Sequence, residues 1–184
     1  MIWHPASHWK SKIPTHLHTW LFDSTSLTLR LQTHCQQQFF VEVIEEKWEQ
    51  PQAAEQQALH LTHAPPARIR HVYLHCREQT WVFARTVIPQ HTLTGKYRCL
   101  ETLGTQPLGE VLFSFHALQR TEIEAACLSS ENLLYQLASV NLQPKPLKLW
   151  ARRSIFYLPE DKPLLVHEVF LPNMTEWLET RFMG

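Results

Sequence analysis

Along this chain the apolar residues change period twice, and each change predicts a change of element. From Pro14 to about Gln38 the apolar anchors Trp20, Leu21, Leu27 and Leu31 fit helices, and the hydroxyls of Ser24, Thr25 and Ser26 are placed to cap the second of them. At Phe39 the pattern turns to β-branched and aromatic residues, and FFVEVIEEKW to Trp48 predicts a strand. The polar stretch QPQAAEQQ that follows predicts a surface loop or short helix. Arg68 to Cys76 and Trp81 to Ile88 then read as two strands, with Arg77 to Thr80 short enough for a hairpin and Pro89 ending the second.

From Thr92 to about Phe115 short helices alternate with turns, punctuated by Gly95, Gly104, Pro107 and Gly109. Leu118 to Val140 predicts helix, broken at Ser129-Ser130 and resuming over Glu131 to Leu137. Asn141 to Lys148 reads as a proline linker. Arg152 to Leu158 and Leu164 to Leu171, joined by PEDKP, predict a closing hairpin. Helices first and hairpins after point to a single α+β domain over 1–184, built on an antiparallel sheet.

Alternation within the first hairpin predicts which side chains share a face. With Glu78-Gln79 as a two-residue turn, Cys76 faces Trp81, Leu74 faces Phe83, Val72 faces Arg85 and Arg70 faces Val87. A four-residue loop about the same centre gives the same result. Arg70 and Arg85 are then expected on one apolar face, where each meets either a structural carboxylate or the carboxylates of a dianionic ligand. In LLVHEVFL the same alternation places Glu168 beside Leu164, Val166 and Phe170. There it is either a partner for an arginine or a desolvated acid.

Composition narrows the function. Lys+Arg and Asp+Glu both number 17, so no basic excess points to nucleic acid. The four cysteines, Cys35, Cys76, Cys99 and Cys127, are widely spread, which argues against a disulfide scaffold or a zinc site and suits a reducing cytoplasm. The first residues lack the apolar run of a signal peptide, and no stretch is long enough for a membrane span. The histidine pairs His16/His18, His60/His63 and His71/His75 match no metal-ligand spacing, and His71 and His75 are expected on the wetter sheet face. Nucleophile-elbow, dinucleotide and P-loop signatures are missing from the sequence.

Four ordered segments carry a family resemblance. They are W-L-F-x3-S-L-T-x-R at Trp20–Arg30; Arg70 through W-V-F-A-R-T-V-I-P to Leu93–Gly95; L-G-T-Q-P-L-G at Leu103–Gly109; and W-A-R-R-S at Trp150–Ser154 with K-P-L-L-V-H-E-V-F-L-P at Lys162–Pro172. In order and spacing the set resembles chorismate lyase, the carbon–oxygen lyase that opens bacterial ubiquinone synthesis. The resemblance implies an antiparallel sheet of about six strands with helices on one face and helical flaps over an enclosed pocket. It implies that Arg70 and the backbone amide of Leu108 hold a ring carboxylate, that Glu168 meets a ring hydroxyl, and that Leu27 lines the pocket from a flap. Arg85 matches an arginine suited to the enolpyruvyl carboxylate, which makes Arg70, Arg85 and Glu168 the expected catalytic set. Chorismate and 4-hydroxybenzoate are the implied ligands. No cofactor, metal, nucleic acid or membrane span is expected, and the chain is expected to be a cytoplasmic monomer. The segment at about 128–147 is longer than the family pattern. Two other readings use the same fold: a non-catalytic ligand-binding domain of the UTRA type, which normally follows a DNA-binding helix-turn-helix that this sequence does not hold, and a relative forming 3-hydroxybenzoate.

Overall fold

The structure, a computed structural model, describes residues 2–9, 12–63 and 65–182. Among them eight strands form one antiparallel sheet: β1 (His4–Pro5), β2 (Phe39–Glu49), β3 (Ala67–Cys76), β4 (Gln79–Pro89), β5 (Gln119–Arg120), β6 (Glu124–Leu128), β7 (Leu149–Leu158) and β8 (Lys162–Phe170). The order is β1-β6-β7-β8-β4-β3-β2, with β5 pairing β7 beyond β6. β1 and β5 are two residues each, so the sheet proper has the six strands expected. The helices are α1 (Ala6–Trp9), α2 (Thr15–Leu21), α3 (Leu27–Cys35), α4 (Ala53–Ala58), α5 (Leu108–Ser114), α6 (Leu133–Ala138) and α7 (Pro172–Phe182).

The helical start of the chain divides where its hydroxyls fall. Ser26 caps α3, its side chain accepting from Leu29 N at 3.3 Å. Leu17, Trp20 and Leu21 of α2, Leu27 and Leu31 of α3, and Met174 and Leu178 of α7 pack against Val41, Val72, Leu74, Val82 and Phe170 of the sheet. Leu108 and Leu112 of α5 close the same face against Ile88, Phe156, Leu164 and Val166. Full burial of a leucine or valine contributes about 1.5–3 kcal/mol, so this face holds the helices firmly. The other face carries two short helices, α6 over Tyr73, Phe83 and Val169, and α4, which sends Glu55 down onto β4. The polar QPQAAEQQ stretch makes α4 through a reciprocal cap between Gln52 and Glu55.

Three expectations are corrected. Residues 118–128, read as helix, form β5 and β6 instead. Glu124-Ala-Ala-Cys-Leu128 has no strong intrinsic bias, and its pairing with Leu149 to Arg153 decides the outcome. The cysteines include one disulfide, Cys35–Cys76, tying the end of α3 to the end of β3, whereas the spacing suggested none.

The third correction concerns the hairpin. Its turn is Arg77-Glu78, both at positive φ, with Cys76 opposite Gln79. A regular ladder from that turn would still set Arg70 opposite Arg85 on one face. A β-bulge intervenes: His75 pairs with Thr80 but Leu74 with Val82, leaving Trp81 as the extra residue. Beyond it every facing changes, so Arg70 lies opposite Thr86 and Arg85 opposite His71. The two arginines therefore project from opposite faces. His71 and His75 do lie away from Arg70's face, but both are buried there rather than wet.

Candidate active site

Between the helices and the sheet lies a cavity enclosing about 560 Å³ of space free of protein atoms, its mouth included. Its floor is two rows of side chains running across the strands. One row runs from Arg70 on β3 through Thr86 and Val166 to Ser154 on β7, and the other from Val72 through Ala84 and Glu168 to Arg152. Ser26, Leu27 and Thr28 at the start of α3 form one wall, and Pro107, Leu108, Gly109 and Leu112 of α5 another. These two elements meet over the cavity. Gly109 comes so close to Thr28 that a Cβ there would stand 2.7 Å from its hydroxyl, and Gln32 donates to Glu110.

Of the residues singled out in the sequence, Leu27, Arg70, Leu108 and Glu168 all line this cavity. Arg85 does not. It is buried on the opposite face, its Nε and Nη2 donating to the two carboxylate oxygens of Glu55 at 2.7 and 2.9 Å, and its Nη1 donating to His71 Nε2 at 2.6 Å. That bond makes His71 Nε2 an acceptor, so the ring is neutral with Nδ1 3.3 Å from Glu45. Burial, then the Arg85 charge, holds the His71 pKa below its ordinary value. Glu55 remains ionised: burial pushes its pKa up, but the Arg85 hydrogen bonds and the nearby His167 draw it below the ordinary carboxylate value. A forked, fully bonded guanidinium of this kind is committed to structure.

Arg70 is held by a bulge of its own. The irregularity in β2 between Val43 and Glu45 brings Glu46 opposite Arg70, with Oε1 2.7 Å from Nε, although the N–H is angled off that line. Nη2 donates to the carbonyls of Gly104 and Gln106 at 2.7 and 3.2 Å. Nη1 has no hydrogen-bond partner among the described residues. Burial lowers the Arg70 pKa, with Glu46 opposing. Leu108 is the first residue of α5 after Pro107, so its N–H has no intrahelical acceptor.

Two arginines that carried no expectation from the sequence complete the cavity. Arg152, opposite Glu168 in the β7–β8 ladder, donates Nε to Glu168 Oε2 at 2.5 Å and Nη1 to the carbonyls of Trp20 and Asp23 at 2.8 and 3.0 Å. It orients the acid and ties the α2–α3 connection to the sheet. The signal was present in Arg152-Arg153, because consecutive strand residues face opposite ways and one of the two must point to the core. Arg120 lies on β5, in the stretch expected to be helical, where alternation offered no guidance. Among the described residues no group of three or more His, Cys, Asp or Glu could hold a metal ion, and no helix is long and apolar enough to cross a membrane.

The arrangement is a mostly apolar chamber with three guanidinium groups and one carboxylate, suited to a small aromatic or cyclic polyacid. Comparison with solved structures gives the fold. A GntR-family transcriptional regulator from Bacillus cereus superposes with a TM-score of 0.54 at 11% identity, covering 74% of this chain and 93% of that one. The ligand-binding domain of a putative GntR-family regulator from Bordetella bronchiseptica gives 0.51 at 17% identity, covering 73% and 83%. Sequence comparison is closer. The probable chorismate pyruvate-lyase of Nitrosomonas europaea is 38% identical over 172 residues, 94% of each chain. That of Pseudomonas aeruginosa is 38% identical over 173 residues, covering 94% of this chain and 92% of the other. The profile of the family described as chorismate lyase matches residues 1–179. The chain belongs to the chorismate lyase family, a family of lyases.

Proposed function

We propose that this protein cleaves chorismate to 4-hydroxybenzoate and pyruvate. The observation that carries the reading is that Arg70, Leu108 and Glu168 line one cavity, in a chain of this family. The ring carboxylate meets Arg70 Nη1 and the Leu108 N–H. The ring hydroxyl meets Glu168, whose other oxygen is fixed by Arg152. Leu27 and Leu108 press on the ring from the two flaps.

The reaction breaks the ether bond at ring C3 and removes the hydrogen at C4. That hydrogen ends on the enolpyruvyl methylene, which becomes the pyruvate methyl group as the ring becomes aromatic. Atoms and electrons balance without oxidant or reductant. Aromatisation drives the step, so the protein contributes chiefly by fixing the two ends of the substrate and by preorganised charge in a mostly apolar cavity. Glu168, accepting from the 4-hydroxyl, favours electron flow into the ring as the C3–O bond lengthens. The same reading makes the chain a monomeric cytoplasmic enzyme at the head of ubiquinone synthesis, as the family resemblance implies.

Purified protein incubated with chorismate should yield 4-hydroxybenzoate and pyruvate in equal amounts, separated by chromatography. Unchanged chorismate would sink the reading in favour of a binding domain. A 3-hydroxy product would place the chain with the relatives of that specificity.

A further inference from the structure

Chorismate carries a second carboxylate, on the enolpyruvyl ether, and with Arg85 on the far side of the sheet that group has lost its expected partner. We infer that Arg120 holds it. The inference rests on the chorismate reading above, but its chemistry is visible in the cavity itself.

Each of the other two cavity arginines is matched by a carboxylate. Arg70 stands against Glu46 and Arg152 against Glu168. Among the described residues Arg120 has no ion pair. Nε donates to Ser154 Oγ at 2.9 Å, and Nη1 donates to the carbonyls of Ser24 and Thr25 at 3.0 and 3.4 Å. Among the described residues all of its hydrogen-bond partners are neutral, and Nη2 has none. The guanidinium carbon sits 4.9 Å from the centre of the Phe156 ring, which walls it from below. Burial and the Arg152 charge push its pKa down to about 10, against the pull of Glu168 and Asp23, so it is still a cation at neutral pH. A half-buried cation whose direct hydrogen-bond partners are all neutral is a point where an incoming anion gains much.

Its position fits the substrate. Arg120 reaches the cavity from beyond β7, bonded to Ser154 at one end of the floor row that begins with Arg70. Three strand spacings separate the backbones of Arg70 and Ser154, roughly 14 Å. The side chains of Arg70 and Arg120 project inward from these two ends. A ring lying over Thr86 and Val166 would present one carboxylate to each wall. The ether carbon lies beside the hydroxyl-bearing carbon on the ring, so the side chain leaves from the same flank on which Glu168 and Arg152 sit. Arg120 also grips the carbonyls of Ser24 and Thr25, immediately before the cap of α3. Occupying it therefore steadies the flap as well as the ligand.

The test compares two unreactive aromatic ligands, 4-hydroxybenzoate with one carboxylate and 3-(carboxymethoxy)-4-hydroxybenzoate with two, by calorimetric titration. Wild-type protein should bind the dicarboxylate more tightly. Arg120→Met should weaken that ligand by about 10- to 100-fold, the value of a charged hydrogen bond, and change 4-hydroxybenzoate by less than about 2-fold. Arg120→Gln, which keeps a donor for Ser154 but no charge, should behave the same way and covers the case in which the methionine variant does not fold. Arg70→Met should weaken both ligands. Equal losses for both ligands in the Arg120 variants, or no loss for either, would overturn the assignment and leave Arg120 as a strut between the flap and the sheet. Chorismate turnover by wild type is scored separately, so the two affinities decide the role of Arg120 even in a protein without lyase activity.

Discussion

Arg85→Met separates structure from binding at the arginine whose face the bulge decides. The wild-type residue is 4% exposed, and all three of its guanidinium nitrogens are engaged, two with Glu55 and one with His71. Removing it leaves the buried Glu55 carboxylate without its main counter-charge. Breaking a buried pair from one side costs about 3–5 kcal/mol. At this chain length each kcal/mol lowers Tm by about 2–4 °C, which gives a drop of roughly 6–20 °C. Adding Glu55→Leu should return much of the loss, because the orphaned charge goes with it. Circular-dichroism melts of the single and double variants read this coupling. Tryptophan-fluorescence titration below the variant's Tm should show 4-hydroxybenzoate affinity within about 2-fold of wild type, since no ligand contact is removed. A variant with unchanged Tm and lost affinity would put Arg85 in the cavity and refute the bulged register.

Three further outcomes follow from the same structure. Gly109→Ala should part α3 from α5, since its Cβ would meet Thr28 Oγ1 at 2.7 Å and Ser26 Oγ at 3.0 Å; the strain of about 1–3 kcal/mol should appear as faster ligand dissociation in stopped flow, and Thr28→Ala should reverse part of it. His167 is buried beside Glu55, Arg153, Arg85 and Trp3, and burial above all holds its pKa down to about 4. Because the unfolded ring takes up its proton near 6.5, stability should be full above that pH and fall on acidification towards 4, by about 2 kcal/mol at pH 5; a His167→Gln variant whose Tm falls as steeply from pH 7 to 5 would contradict this. The Cys35–Cys76 bridge spans 41 residues, worth about 4 kcal/mol in a chain-entropy estimate; thiol titration of denatured, unreduced protein should find two free thiols, and four would deny the bridge.

Much of the fold was legible because its strands are long and their bounds are marked. Phe39–Glu49 and the two hairpins declare themselves through β-branched runs stopped by Pro89 or by the PEDKP turn. Ser26 declared the cap of α3. The β6 segment was illegible because Ala and Cys accept either backbone, and only Leu149–Arg153 alongside makes it a strand. The side of the sheet reached by Arg85 was lost for a different reason. Alternation is reliable only while the ladder is regular, and a single extra residue at Trp81, invisible in composition, reverses everything beyond it. Glu168 survived that uncertainty because no bulge interrupts β8 between Leu165 and Phe170.

The back of the sheet carries its own row, Glu45–His71–Arg85–His167–Arg153–Glu124, one residue from each successive strand from β2 to β6. Cavity and back row are thus written into the same strands in alternate letters, with Arg152 beside Arg153 and Glu168 beside His167. A one-residue deletion within β7 or β8 would exchange the two scripts, sending a cavity group into the ion lock and a lock group into the cavity. An insertion between Leu128 and Leu149 exchanges nothing, because β7 is re-registered by its own ladder with β6 and β8. Length can therefore drift in that stretch over evolution, while the central strands are constrained to a fixed count even where single substitutions are tolerated.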